Sequence, residues 1–520
     1  MRRALLFAAL AAGCTTLGPE PEAPPAPQGG FEAVSGSAGT ATGRATGEDL
    51  AVWWRGLGDP ALTRLIEEGA LGNLQLAQAE ARLRAARAER AQARGGAGPS
   101  LDASGSATRT RISENGFPFG GATGGGVAGG GTESPAASRK QSASAQAEDT
   151  GGAAPGGASS NFPTPGDTIN IFQLGFDARW ELDLFGGLTR TLQAADARVA
   201  ASAYELADLR TSLVAEIARD YVSLRIAQAR LGAAEANLEA AQEVASLVEE
   251  RADAGFVTEL DSLRAAAAID AISVQLPPLR ATIAQTGHRL SILTGERPGS
   301  LADLLDPAPP PVPEDGAIPV GVPADLVRRR PDIRAAEAQL RAATYAIGAS
   351  QADLYPNIAL TGQVGLQSQD ADSLFDWGSR TWSLGADVLA PIFDRGRRRA
   401  RVEQRRAEAE GALAAYRLAV LTAIGEVEDA IVGLREDRLR LTTVEALADK
   451  NRRALALARE RYAAGLVTLL DVLEAQQDLV SAEDQLAQAR GAVTIDAAAL
   501  FKALGGGWPA DDATKEGEDI

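Results

Sequence analysis

The chain has 520 residues, a formal net charge of −18, and 45% hydrophobic residues of which few are aromatic (5% of the chain). Alanine supplies much of that apolar fraction, so the helices are expected to pack closely and thinly, as in coiled coils, and not around a fat globular core. The acidity, with nothing resembling a basic face, excludes nucleic acid as a partner. A single histidine, His288, and a single cysteine, Cys14, exclude His-based metal sites, Ser–His or Cys–His catalysis and any intramolecular disulfide.

In chain order, residues 1–13 read as a secretory signal: Arg2 and Arg3, then an apolar run from Ala4 to Ala12 that is too short to span a bilayer. The run ends in Leu10-Ala11-Ala12-Gly13-Cys14, which resembles a bacterial lipobox with Cys14 as the lipidated residue; Leu10 stands one place earlier than the usual leucine. Residues 14–50, rich in Pro, Gly, Ala and Thr, read as a lipidated flexible tether. Asp59 as N-cap and Pro60 at the first position then open a helix expected to run to about Arg94. After Pro99, Leu101, Ala103, Gly105 and Ala107 alternate with polar residues, which is the period of a strand. A stronger alternation follows in Phe172, Leu174, Phe176, Ala178, Trp180, Leu182 and Leu184. Between these two strands, a Gly/Ser/Ala-rich segment over about 116–166 is expected to be a long mobile loop. A helical pattern over roughly 187–252 carries the apolar seam Leu206, Leu209, Leu213, Ile217, Tyr221 and Leu224.

The chain then repeats itself. RADAGFVTELDSLRA (251–265) and RYAAGLVTLLDVLEA (461–475) agree at nine of fifteen positions, 210 residues apart. AEARLRAA (79–86) and AEAQLRAA (336–343) agree at seven of eight, 257 residues apart, the difference being the inserted loop. Pro356 precedes the alternating Ile358, Leu360, Gly362, Val364 and Leu366; Trp382, Leu384, Ala386, Val388, Ala390 and Ile392 form a fourth run. A second long helix over roughly 397–462 bears Leu413, Tyr416, Val420, Ile424, Val427, Ile431 and Leu434. Each conserved-length corner places a glycine (Gly255, Gly465) where a left-handed residue ends one helix. A threonine (Thr258, Thr468) then caps the next, with Asp261 or Asp471 in its first turn. The expected organisation is a first repeat over 51–300, a Pro-rich linker over 301–322, a second repeat over 323–504 and an acidic disordered tail over 505–520.

The fold expected is a mixed α/β membrane protein with four amphipathic strands per chain. A membrane-spanning sheet must close on itself, and single-chain barrels begin at about eight strands, so several copies must pool theirs. The most specific string, VPADLVRRRPDIRAAEAQLRAA (322–343), stands with Trp53-Trp54, Gly58-Asp59-Pro60, WELDLFG (180–186), the Gly-x-Val-Thr corners and LGGGW (504–508). Together these resemble the TolC-type outer-membrane efflux lipoproteins of the NodT branch, over roughly residues 50–508. The resemblance implies a homotrimer with one twelve-stranded barrel in outer-membrane lipid and an α-helical tunnel across the periplasm. It implies two further partners, a periplasmic membrane-fusion adaptor at the helical corners and an inner-membrane RND-type pump. It implies no catalytic site and no cofactor, in keeping with the absence of a paired acid–base constellation or phosphate loop.

By the same resemblance Tyr462, Asp471 and Glu474 fall where periplasmic gate residues are found, with Asp261 as the first-repeat echo and Arg251 and Arg461 placed to pair with these acids. Gly255, Val257, Thr258, Gly465, Val467 and Thr468 are the adaptor-contact residues so implied; Val467 stands where the family often carries a gating arginine. The function expected is the passive exit duct of a tripartite efflux pump for small toxic compounds. A type I protein-secretion outlet on the same fold and a non-channel, periplasm-spanning structural lipoprotein are the alternatives.

Overall fold

The computed structural model describes residues 16–22, 24–25, 27–33, 40–41, 50–113, 115, 166–301, 306–311, 313, 318–319 and 323–508. The signal segment 1–13, Cys14, the inserted loop apart from Gly166 and the tail beyond Trp508 lie outside these residues. The described residues form two units, one of helices and one of strands. The strand unit takes Gly98–Leu182 and Ile358–Val388, one hairpin from each repeat.

In the helical unit, Asp59 caps α1 (Pro60–Gly72), its Oδ1 accepting from the amides of Ala61 at 2.9 Å and Leu62 at 3.2 Å. The single helix expected to reach Arg94 is in fact two, because α2 (Leu74–Gly96) restarts after Asn73. Asn73 is extended, with ψ 122°, and its side chain accepts from Gln75 and Leu76 while donating to the Leu293 carbonyl at 2.9 Å. An asparagine that caps and cross-links at once outweighs the apolar periodicity running through it.

The long helices match the sequence closely: α3 spans Gly187–Asp253, and after α4 (Glu259–Ser273), α5 (Leu276–Leu293), α6 (Pro323–Arg329) and α7 (Pro331–Ala352) comes α8 (Arg397–Ala463). α9 (Leu469–Ala503) closes the unit. At 67 residues each, α3 and α8 reach roughly 100 Å at about 1.5 Å per residue. Shorter helices lie along them: α2, α4, α5, α7 and α9 against α3, and α7 and α9 against α8. The predicted seams are buried, with Ile217, Tyr221 and Leu224 wholly enclosed on α3 and Tyr416, Val427, Ile431 and Leu434 enclosed on α8. Each such side chain contributes about 1.5–3 kcal/mol.

Two expected flexible ends are fastened to this unit. In the segment read as a tether, Leu17 donates its amide to Phe185 at 3.3 Å, and Phe31 is buried beside Tyr416, Val420 and Val427. The Glu428 carboxylate accepts from the amides of Glu32 and Ala33 at 2.7 and 2.8 Å, and Thr40–Ala41 pairs in parallel with Ile318–Pro319. The segment is a strap wherever it is described. Low-complexity composition lacks a core of its own but can still lie in another element's groove. At the other end, Gly505–Trp508 belong to the fold and not to the tail: Gly507 donates to the Leu50 carbonyl at 2.9 Å, and Trp508 is buried against Tyr204 and Ala338.

The strand unit is a four-stranded sheet in the order β1 (Ser100–Arg111), β2 (Thr168–Leu182), β3 (Asn357–Ser368), β4 (Arg380–Leu389). The β1–β2 and β2–β3 pairs are antiparallel, and the latter joins the two repeats. Register places Leu101, Ala178 and Gly362 across from one another, as it does Ala103, Phe176 and Val364. Leu384 reaches the same face, since a Cβ built on Gly362 would meet it and Ala178. The alternate residues Asp102, Asp177 and Gln363 share the opposite face. One face is therefore apolar and uncovered, as the period-two runs predict: Phe176, Trp180, Val364, Trp382 and Val388 are all exposed. Among the described residues no helix is long and apolar enough to cross a membrane.

The strap yields a direct test. Glu428→Ala removes the acceptor for two amides, about 1 kcal/mol for the net loss, and limited proteolysis between residues 16 and 33 is expected to become roughly fivefold faster. An unchanged cleavage rate would mean the carboxylate does not hold the segment.

Candidate functional site

The duplicated corners are built by identical backbone bonds. At the end of α3 the Gly255 amide donates to Ala252 and the Phe256 amide to the Arg251 carbonyl, both at 2.9 Å. At the end of α8 Gly465 donates to Tyr462 and Leu466 to the Arg461 carbonyl at the same distance. This is the Schellman arrangement, and it needs the positive φ of Gly255 (78°) and Gly465 (72°). A Cβ built at either glycine would meet nothing within 4 Å, so backbone conformation and not crowding requires glycine here.

Thr258 and Thr468 then start α4 and α9 with capping boxes. Asp261 accepts from the Thr258 amide at 3.1 Å and hydroxyl at 2.9 Å; Asp471 accepts from the Thr468 amide at 2.7 Å and hydroxyl at 2.5 Å. In each case the threonine hydroxyl, and after it the threonine amide, holds the aspartate below the usual carboxylate range. Both acids remain ionised through neutral pH, but they are engaged within their own turns. Asp261 also has Arg264 at 3.9 Å. Glu474 lies one turn beyond Asp471, exposed and without a hydrogen bond or ion pair among the described residues.

The structure brings Arg251 and Tyr462 together. The guanidinium sits 4.6 Å from the ring centroid, and Nη2 donates to the Ala463 carbonyl at 2.8 Å, so the first corner is clipped to the second. Among the described residues Arg251 pairs with no acid, contrary to the expectation, its Nη2 being turned to the backbone carbonyl and its face to the ring. Arg461 makes no ion pair among the described residues either; the residue matching Tyr462 in the first corner is Ala252, which offers no ring. Tyr462 itself is buried with Val244, Val248, Leu469 and Val472, and its hydroxyl has no hydrogen-bond partner among the described residues. It lines a half-open cavity of about 160 Å³ with Glu243, Leu247 and Arg459.

Of the implied adaptor contacts, Val257 and Val467 pack inward against this small core and the threonines are spent on caps. What the corners present outward is Phe256, 82% exposed, and Leu466, 75% exposed, one residue after each glycine, with Leu260 and Leu470 in the next turns. The sequence carried a signal for them, an apolar residue at the same place in both copies of a solvent-facing turn, but the shared glycines and threonines drew the reading instead. His288 is exposed on α5, and no group of three or more potential metal ligands occurs among the described residues.

Comparison with known proteins places this architecture. The family model described as outer membrane efflux protein matches residues 65–296 and 322–506, one stretch in each repeat. The pyoverdine export outer membrane protein OpmQ of Pseudomonas aeruginosa is 30% identical over 507 residues, covering 96% of this chain and 97% of that protein. Nodulation protein T of Rhizobium leguminosarum bv. viciae is 33% identical over 347 residues, 66% of this chain and 71% of that one, in line with the branch to which the motifs pointed. The solved structure of the outer-membrane channel OprN superposes with a TM-score of 0.80 at 32% identity, covering 95% of this chain and 100% of that chain. Two duplicated helical hairpins, a sheet bare on its apolar face and a match running through both repeats lead to one conclusion: the chain belongs to the outer membrane efflux protein family and is an outer-membrane efflux channel.

Proposed function

We propose that three copies of the chain pool their strands into one twelve-stranded barrel, and that the helices continue its bore across the periplasm as the passive exit duct of a tripartite pump. The observation that carries this is the sheet, whose apolar face is uncovered and whose outer strands β1 and β4 have no neighbour beyond them in the sheet order. Strands of 10–15 residues are long enough to cross the hydrocarbon layer at a tilt. On this reading Cys14 carries an additional lipid anchor, while an inner-membrane RND-type pump supplies energy and cargo through a periplasmic membrane-fusion adaptor. The adaptor meets the corners chiefly through Phe256 and Leu466, which protrude from turns whose glycines and threonines are occupied by structure.

The corners also form the gate. Arg251 clips the α3–α4 corner to the α8–α9 corner, and three copies of Glu474, which has no ion pair among the described residues, would crowd negative charge around the axis. Asp471 contributes charge as well, though its first task is the cap.

Glu474→Ala, alone and with Asp471→Ala, should raise the conductance of the isolated channel in planar bilayers; unchanged conductance in both would remove these acids from the gate. Arg251→Ala should also raise conductance and let the two corners separate, read as a longer distance between spin labels at residues 254 and 464. A closed, unmoved pair of corners would contradict the clip. The capping aspartates have lowered pKa values, so their stabilisation is present above the ordinary carboxylate pKa of about 4 and is lost as pH falls through the lower folded value. Amide protection in the first turns of α4 and α9 should thus stay flat from neutral pH to about 4 and drop only below it. Thr468→Ala should cut protection roughly fivefold in α9 and leave α4 unchanged.

A further inference from the structure

Where two repeats are built alike, a place at which they differ is informative. Each long helix begins shortly after a strand ends, and in the first repeat that segment is covered. The Phe185 ring stacks on Tyr355 with centroids 4.8 Å apart, and its carbonyl accepts from Leu17. Arg190, in the first turn of α3, is buried, donating to the Leu17 carbonyl and to Glu20. The corresponding segment of the second repeat is bare. Ile392 is 95% exposed and Phe393 is 83% exposed, and a run of arginines follows at once.

Those arginines divide into two sets. Arg398 donates to the Asp353 carbonyl and lies 3.7 Å from the Asp394 carboxylate, and Arg401 reaches Asp353 at 3.7 Å. Asp394 also accepts from the amides of Gly396 at 3.0 Å and Arg398 at 3.2 Å, so both nearby acids are already engaged. Arg395, Arg397 and Arg399 are exposed, and their side chains make no hydrogen bond or ion pair among the described residues. Arg395 is the one described non-glycine residue with a positive φ, 54°, a conformation that costs free energy. No acidic residue stands in the first turn of α8. Asp394 supplies one carboxylate at this positive end of the helix dipole, within the field of Arg397 and Arg398. Arg395, Arg397, Arg398, Arg399 and Arg401 outnumber it and Asp353, and the surplus cations favour a further anion from outside the protein. A phosphate group suits that position, since guanidinium groups bind it through paired donors. The two adjoining apolar side chains call for a neighbour with an apolar interior beneath its anionic surface, and a lipid leaflet is that neighbour. The chain reaches this segment directly from β4, whose Trp382, Leu384 and Val388 are exposed on the apolar face.

We propose that Ile392, Phe393, Arg395, Arg397 and Arg399 form an interfacial anchor seated on anionic phospholipid head groups of the periplasmic leaflet of the outer membrane, an inference that rests on the outer-membrane channel reading. The test uses the full-length protein in nanodiscs of phosphatidylcholine with phosphatidylglycerol, and native mass spectrometry to count each lipid retained. Wild type should retain phosphatidylglycerol over phosphatidylcholine, less so at high salt. The combined Arg395→Gln, Arg397→Gln and Arg399→Gln variant should lose that preference at least fivefold, and the matching Arg→Lys variant should keep most of it. Equal lipid retention by wild type and the Gln variant would overturn the anchor. So would dissociation of the oligomer by the Gln variant with the lipid preference intact, because the surface would then be meeting another copy of the chain. Bilayer conductance of the wild type, measured in parallel, separates the two readings: conductance without lipid preference sinks the anchor alone, whereas its absence counts against the channel.

Discussion

An open sheet with one bare apolar face is the constraint on which the rest of the structure depends. Each edge strand carries backbone N–H and C=O groups that find no partner in lipid, at a cost of several kcal/mol for each group left unpaired. The duplication supplies two hairpins instead of one, and their junction is tight: a Cβ on Gly175 would come within 2.9 Å of the Val364 carbonyl oxygen, so only glycine lets β2 and β3 approach. That seam makes a continuous four-stranded sheet from two repeats and still leaves β1 and β4 at its edges. The polar face carries Asp102, Asp177 and Gln363 side by side, chemistry suited to an aqueous lumen.

Duplication also explains the corners, and the substitutions within it explain their asymmetry. Both corners use the same Schellman bonds, the same glycine and the same threonine–aspartate cap. Of the six positions at which the two strings differ, the one that matters here holds Ala252 in the first copy and Tyr462 in the second. Arg251 therefore finds a ring to lie on and a carbonyl beyond it, while among the described residues Arg461 is bonded through its backbone alone. A repeat that began as two equal hairpins thus acquires a single direction of cross-linking.

The sequence made legible whatever depends on period or on local chemistry. Alternation gave the four strands and their apolar face because register preserves parity across the sheet. The apolar seams gave both long helices to within a residue or two, and Asp59, Thr258 and Thr468 marked helix starts because capping is local. What it hid depends on distant partners. Asn73 breaks a helix while bonding to Leu293, the strap lies on Glu428, and Arg251 turns from the acids toward Tyr462. The overall charge of −18 likewise concealed the local concentration of arginine at the start of α8.

Thin, alanine-rich helices offer little apolar area on which to hold irregular segments, and the structure meets that shortage with buried arginines. Arg190 holds the strap through the Leu17 carbonyl and Glu20. Arg225 holds the inter-repeat linker by donating to the Asp306 carbonyl, and it also donates to Gln228 Oε1 and to the Tyr221 hydroxyl, which itself donates to Asp59 at 2.6 Å. Arg330 donates to the Ala503 carbonyl at 3.0 Å and pairs with Asp332 and Glu426, tying the start of α7 to the end of α9. Burying a guanidinium is costly unless most of its donors are met, and carbonyls, carboxylates and tyrosine rings meet most of them here, although the Arg225 Nε has no partner among the described residues. Tyr345 lies beneath Arg190 at 5.4 Å, Tyr221 beneath Arg225 at 4.7 Å and Tyr204 beneath Arg334 at 4.8 Å. The Arg251–Tyr462 clip is thus the same fastening used once more, at 4.6 Å, with one difference of setting. The others fasten elements within the body of the helical unit, whereas this one joins two exposed corners, the turn after α3 and the turn after α8.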